Sequence, residues 1–141
     1  MSIGKQTVIN YVSYMTDSYL LFTLQNYAAK LVEKETSPKY YFMDTGLLGL
    51  MLLDCKSAQL ENLVAIELIR RYGTENVYFF ENNIEIDFYI PLDNLAIQVS
   101  MQVLDNIDTR ERETRAFVKL NNFIPCLLYT SPSPRDRQKS R

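Results

Sequence analysis

IEIDFYI at residues 84–90 and AIQVS at residues 96–100 decide how this chain folds. In the first run Ile84, Ile86, Phe88 and Ile90 alternate with Glu85, Asp87 and Tyr89, the period-two pattern of a strand with one apolar face. In the second, Ile97 and Val99 alternate with Gln98 and Ser100. The intervening PLDN at 91–94 is made of turn formers, so the two runs predict a hairpin. If their apolar faces coincide, Asp87, Gln98 and Ser100 gather on the opposite side. A helix predicted over 57–72, stopped by Gly73, comes shortly before the hairpin and brings Glu61 or Glu67 close to it.

Outward from the hairpin, residues 77–81 predict a strand, with Asn82-Asn83 as a tight turn into the next one. On the helix wheel Leu60, Leu63, Val64, Glu67 and Leu68 form one stripe, read as the core-facing side. Residues 40–43 are extended and aromatic, and Asp44-Thr45-Gly46 turns into a short apolar helix over 47–53. Asp108 with Glu111 makes a capping box for a last helix to about Asn121. Nearer the start, Val8, Ile9, Val12 and Met15 recur at helical spacing over 4–17. Residues 18–27 read as a strand, with 28–33 as its antiparallel partner. Residues 34–39, charged and ending in Ser-Pro-Lys, are the linker between these two units.

Composition narrows the function classes. At 47% hydrophobic and 23% charged, the chain has ordinary globular makeup, which argues against disorder of the whole. Its longest apolar stretch is far too short to span a bilayer, and the start lacks the pattern of a secretion signal. The two cysteines, Cys55 and Cys126, with no histidine anywhere, give no zinc-ligand spacing. A reducing cytoplasm is the expected compartment, with no membrane partner.

The hairpin and its helix resemble the site of PD-(D/E)xK nucleases: a helix Glu, a strand Asp, then Glu-x-Lys on the following strand. On that resemblance Glu61 takes the helix position, with Glu67 as backup, and Asp87 the strand position. Gln98 and Ser100 stand where the Glu and Lys belong. Gln98 keeps an oxygen without the charge of a hard-metal ligand, and Ser100 supplies no cation. The resemblance therefore implies a nuclease scaffold with a degenerate site, at which Asp87 and Glu61 could hold Mg²⁺ only weakly.

A wider resemblance covers nearly all of residues 2–125. The segments SIGKQTVINYVSYMTDSYLLF, SPKYYFMDTGLL, LENLVAIELIRRYG, NVYFFENNIEIDFYIP and LAIQVS are similar, in order, to the C-terminal part of bacterial AAA-superfamily ATP-binding proteins. There an ATPase core is followed by a winged helix and a nuclease-like domain of unknown function. The resemblance implies an α/β (α+β) fold. Residues 1–33 would be the C-terminal half of the winged helix, and 40–125 a restriction-endonuclease-like core with a mixed sheet flanked by helices. It also implies that ATP and Mg²⁺ belong to a parent ATPase core, the expected partner, which is missing from this sequence. The run SIGKQT at 2–7 is no phosphate loop, since it lacks the glycine-rich turn and Gln6 separates Lys5 from the hydroxyl residue.

Residues 126–136, CLLYTSPSPRD, resemble the translation of a transposase adapter from short-read sequencing libraries. That resemblance implies a foreign or disordered tail over 126–141, with the evolved chain running on differently past Pro125. The tail carries Arg135, Arg137, Lys139 and Arg141 against Asp136, so the first 125 residues hold a net charge of −5, given −2 for the whole. Such a charge argues for weak DNA binding at most, because phosphate contacts dominate nucleic-acid affinity. The winged-helix candidate for the major groove offers Asn10, Ser13 and Tyr14 but no cation beyond Lys5. Arg110, Arg112 and Arg115 are interleaved with Glu111 and Glu113 and read as a solvated, self-neutralising face.

The expected function is thus a non-catalytic C-terminal fragment of an AAA-type protein, a recognition or assembly module for the ATPase core. By itself it is expected to be neither an ATPase nor a nuclease. The alternatives are a metal-dependent DNA-processing domain centred on Glu61 and Asp87, and a winged-helix DNA-binding module. With half the winged helix absent, apolar surface around Val8, Val12 and 20–24 is expected to be exposed.

Overall fold

The predicted hairpin forms as β4 (Glu85–Ile90) and β5 (Leu95–Gln98), antiparallel with Phe88 opposite Ile97 and Tyr89 opposite Ala96. Pro91–Asp93 makes one 3₁₀ turn between them, and Asn94 closes it with φ of 50°, a left-handed conformation that asparagine tolerates. The computed structural model describes residues 4–31, 37–51, 56–100, 115, 118–120 and 127–130. The capping box of Asp108 and Glu111, with Arg110 and Arg112, lies outside them.

The remaining elements are α1 (Lys5–Asp17), β1 (Leu21–Asn26), α2 (Tyr27–Leu31), β2 (Lys39–Phe42), α3 (Thr45–Met51), α4 (Lys56–Tyr72), β3 (Tyr78–Glu81) and β6 (Leu127–Thr130). The strands make one mixed sheet in the order β2-β1-β3-β4-β5-β6. β1 runs antiparallel to β2 and parallel to β3, and β5 runs parallel to β6. Helix α4 covers one face through Ala65 and Leu68, packed with Phe22, Leu24, Phe79, Phe88 and Ile90. Ala28 of α2 and Leu120 cover the other, with Phe80, Ile86, Tyr89 and Ala96. This is the α/β arrangement expected: a mixed sheet flanked by helices. No helix among the described residues is long and apolar enough to cross a membrane.

Several expectations need correction. Of residues 28–33, predicted to pair with the preceding strand, the described 28–31 do not. Tyr27–Leu31 is helical, in keeping with its Ala-Ala-Lys-Leu composition, and β1 pairs instead with β2 and β3. One sheet therefore runs through the residues assigned to the half winged helix and to the second unit. Of the apolar stretch at 20–24, Leu21, Phe22 and Leu24 are buried in that sheet. The tail set apart from the fold contributes β6, whose backbone fills the outer edge of β5 from Leu95↔Leu127 to Gln98↔Thr130. On α4 the core stripe is rotated from the wheel reading. Asn62, Ala65 and Leu68 are buried, whereas Leu63 and Glu67 are exposed.

The largest correction concerns β4 itself, which is buried from Ile86 to Ile90 and does not keep one apolar face. Against β3, Tyr78 lies opposite Tyr89 but Phe80 lies opposite Ile86. Two steps on β3 thus face three on β4, so Asp87 and Phe88 together oppose Phe79. Such a bulge adds one residue and flips the alternation beyond it. Ile86 and Tyr89 consequently pack on the α2 face, while Phe88 and Ile90 pack under α4.

Candidate functional site

The bulge brings Asp87 onto the α4 side, beside Phe88. Its backbone N–H donates to Oε1 of Gln98 at 3.2 Å, and its Oδ2 accepts the N–H of Val99 at 2.8 Å. Asp87 is only 6% exposed, and burial pushes its carboxyl up to about 6 from 3.8. The Val99 N–H and the Lys39 charge oppose that rise, and the charges of Glu61 and Glu85 reinforce it.

Glu61 arrives from α4 as the sequence predicts, and its Oε1 accepts the Tyr41 hydroxyl at 2.9 Å. Tyr41 stacks on Phe22 at 5.6 Å between ring centroids and touches Phe88 at 5.8 Å. Burial, and then the Glu61 carboxylate, push its phenol well above the ordinary value. The register of α4 is fixed one residue on, where Asn62 is buried. Its Oδ1 accepts the Phe42 N–H at 2.8 Å, and its Nδ2 donates to the Phe42 carbonyl at 3.0 Å and to Thr45 Oγ1 at 3.2 Å. The amide side chain thereby pairs with the outer backbone of β2 as a neighbouring strand would.

Lys39 enters from β2, a cation that the hairpin motif did not reveal. Its ammonium pairs with Glu85 Oε1 at 2.7 Å and lies 5.3 Å from the centre of the Phe79 ring. Burial alone would lower its pKa. The hydrogen bond and charge of Glu85, with the charges of Glu61 and Asp87, outweigh that and hold it above the ordinary value.

Glu61, Asp87, Glu85, Lys39 and Tyr41 thus share one electrostatic neighbourhood. Gln98 joins it differently from the motif. It follows Ile97, which packs under α4, so by alternation its side chain leaves β5 on the other face. Its oxygen then serves the Asp87 backbone and does not stand beside the carboxylate. Ser100 lies two residues beyond the end of β5. Glu67, the backup, pairs with Arg70 at 3.3 Å on the exposed side of α4, a bond of the kind that joins solvated helix neighbours. Asp44 Oδ1 accepts the Gly46 N–H at 2.7 Å, closing the turn into α3.

Mg²⁺ fits these residues poorly. Among the described residues no group of three or more His, Cys, Asp and Glu could hold a metal ion. One Asp87 oxygen is committed to Val99, and the Gln98 oxygen to the backbone. Lys39 already brings a positive charge to the carboxylates. No catalytic step through a metal follows from this geometry.

Comparison with known proteins places the chain in a family. The model of a domain of unknown function (DUF8612) matches residues 1–77, more than half of the chain, and the protein belongs to that family. The match includes Lys39, Tyr41, Glu61 and Asn62 and ends before Asp87. An uncharacterized protein of Methanocaldococcus jannaschii, MJ1544, is 35% identical over 121 residues, covering 83% of this chain and 27% of the relative. The chain therefore spans about a quarter of that relative's length. No solved structure matches.

Proposed function

We propose that this DUF8612 chain is the C-terminal part of an AAA-type ATP-binding protein, in which a restriction-endonuclease-like sheet is kept as a recognition and assembly module. The parent's ATPase core is its partner, and ATP and Mg²⁺ belong to that core. The observation carrying the non-catalytic part is the hydrogen bond from the Asp87 N–H to the Gln98 side chain. It turns the residue at the second acidic position of the nuclease motif into a piece of sheet scaffolding. The Tyr41–Glu61 bond supports the same reading, since it uses the helix carboxylate to join α4 to β2. The AAA parentage draws on the resemblance of the ordered segments across residues 2–125, and the greater length of the M. jannaschii relative accommodates it.

Calorimetric titration of the chain with Mg²⁺ and Mn²⁺, alongside Asp87→Ala, tests the site. Neither protein is expected to bind either ion in the millimolar range or to nick supercoiled DNA. Mg²⁺-dependent nicking by the wild type that Asp87→Ala abolishes would replace this reading with the nuclease one. The specific observation on that side is Lys39, whose charge reaches Asp87 and Glu61 from β2 while β5 supplies none. ATP binding by the full-length M. jannaschii protein tests the parentage, and its failure to bind would remove the ATPase from the proposal.

A further inference from the structure

Helix α1 runs for 13 residues without burying one side chain. Val12, Met15 and Thr16 are half-covered, while Val8 and Ile9 are about half exposed and Tyr11 and Tyr14 are each 62% exposed. The patch continues past the helix through Tyr19, 82% exposed, and Leu20. No charged residue occurs between Lys5 and Asp17. A helix of this length is marginal in water unless tertiary packing supports it, and soluble monomers seldom leave contiguous apolar patches of this kind open.

The chemistry of the patch selects its partner. A face without cations is unsuited to phosphate backbones and to anionic headgroups. Tyrosine rings among aliphatic side chains, with charge confined to the two ends, are the makeup of a protein–protein interface centre. The family match includes α1, so the helix belongs to the family's own domain. The M. jannaschii relative carries about three times as much further chain as the matched quarter, which provides a covalently linked candidate to cover the patch.

We propose that the exposed face of α1, centred on Tyr11 and Tyr14, docks against an uncharged apolar surface of the additional polypeptide carried by the longer M. jannaschii relative. This rests on the reading of the chain as one part of a larger protein and names the surface through which the parts meet. The test compares this chain alone with the M. jannaschii protein carrying this chain in place of its own matched segment. Hydroxyl-radical footprinting reads Tyr11 and Tyr14 in both.

The expected result is free modification in the chain alone and modification several-fold slower in the longer protein. In addition, Tyr11→Glu with Tyr14→Glu should lower the melting temperature of the longer protein while leaving that of the chain alone unchanged. Equal modification in both would overturn the proposal. Protection in the chain alone that disappears on dilution would assign the face to a second copy and overturn it as well. Protection at every concentration would assign the face to this chain's own residues, with the same consequence. ATP binding is measured separately on the longer protein, so docking without ATP binding would keep this surface and remove the ATPase reading.

Discussion

The Tyr41 hydroxyl donates to Glu61 Oε1 at 2.9 Å, joining the edge strand β2 to α4 over the face that holds Asp87. Because the Tyr41 ring also packs on Phe22 and Phe88, Tyr41→Phe removes the hydrogen bond and keeps the packing. Urea unfolding should show a loss of about 1–2 kcal/mol, the range for a bond to a partly solvated carboxylate. An unchanged midpoint would mean that water replaces the phenol without cost.

Asp87 gives the protein a pH dependence whose sign follows from its burial. Its folded carboxyl titrates near 6, above the ordinary 3.8, so the folded state binds its proton more tightly than the unfolded one. The resulting stabilisation is complete below pH 3.8 and is lost as pH rises through about 6. Asp87→Asn keeps an acceptor for the Val99 N–H and removes the charge. It should flatten stability between pH 4 and pH 7 and raise it at pH 7.5, by on the order of 2–3 kcal/mol at most. Denaturation at pH 4.5 and pH 7.5 checks this, and a variant less stable at pH 7.5 would show that the carboxylate is wanted ionised.

Asn62→Ala strips both backbone groups of Phe42 of their side-chain partner. With two part-buried polar groups left without their partner, the expected loss is about 1–3 kcal/mol. Hydrogen exchange at the Phe42 amide should accelerate in step. Slow exchange retained in the variant would point to another acceptor.

Gly73 ends α4 with φ of 82° while its N–H donates to the Ile69 carbonyl at 2.9 Å. A Cβ there would meet Glu75 Oε1 at 2.5 Å. Gly73→Ala should cost about 1–3 kcal/mol, mostly from a backbone whose positive φ with an extended ψ of 151° is nearly restricted to glycine, since the Glu75 side chain can swing away. Thermal unfolding of Gly73→Ala in the wild-type and Glu75→Ala backgrounds separates the two causes, because Glu75→Ala removes the side chain a Cβ would meet and leaves the backbone conformation unchanged.

Removing residues 126–141 uncovers the outer edge of β5. Amides of Leu95–Gln98 that face β6 should lose exchange protection, and the shortened chain should associate more readily through the freed edge. Equal protection with and without the tail would mean that another segment covers the strand.

What the sequence made legible was local. Seventeen residues of helix with Gly73 behind them, and two β-rich runs around PLDN, carry their own start and stop signals. The bulge left no such mark. IEIDFYI alternates without a break, and only the register against β3 shows that Asp87 and Phe88 share one partner residue. Asn62 was hidden by its polarity: periodicity assigns an amide to the solvent side, which rotated the predicted stripe towards Leu63 and Glu67. Lys39 escaped notice because it lies 46 residues from Glu85, a pairing set by strand order. The helical 27–31 could have been found, since Ala, Lys and Leu favour helix over strand.

The position of β1 also orders events in time. One of its neighbours, β2, begins at Lys39, but the other, β3, begins at Tyr78, one residue beyond the family match. Between the end of β1 and the start of β3 a ribosome adding roughly 5–20 residues per second needs about 3–10 s. Throughout that interval a strand containing Phe22 and the fully buried Leu24 has one unpaired edge. A nascent chain stopped at Val77 would therefore present an adhesive strand, and pairing that edge depends on translation passing Glu81.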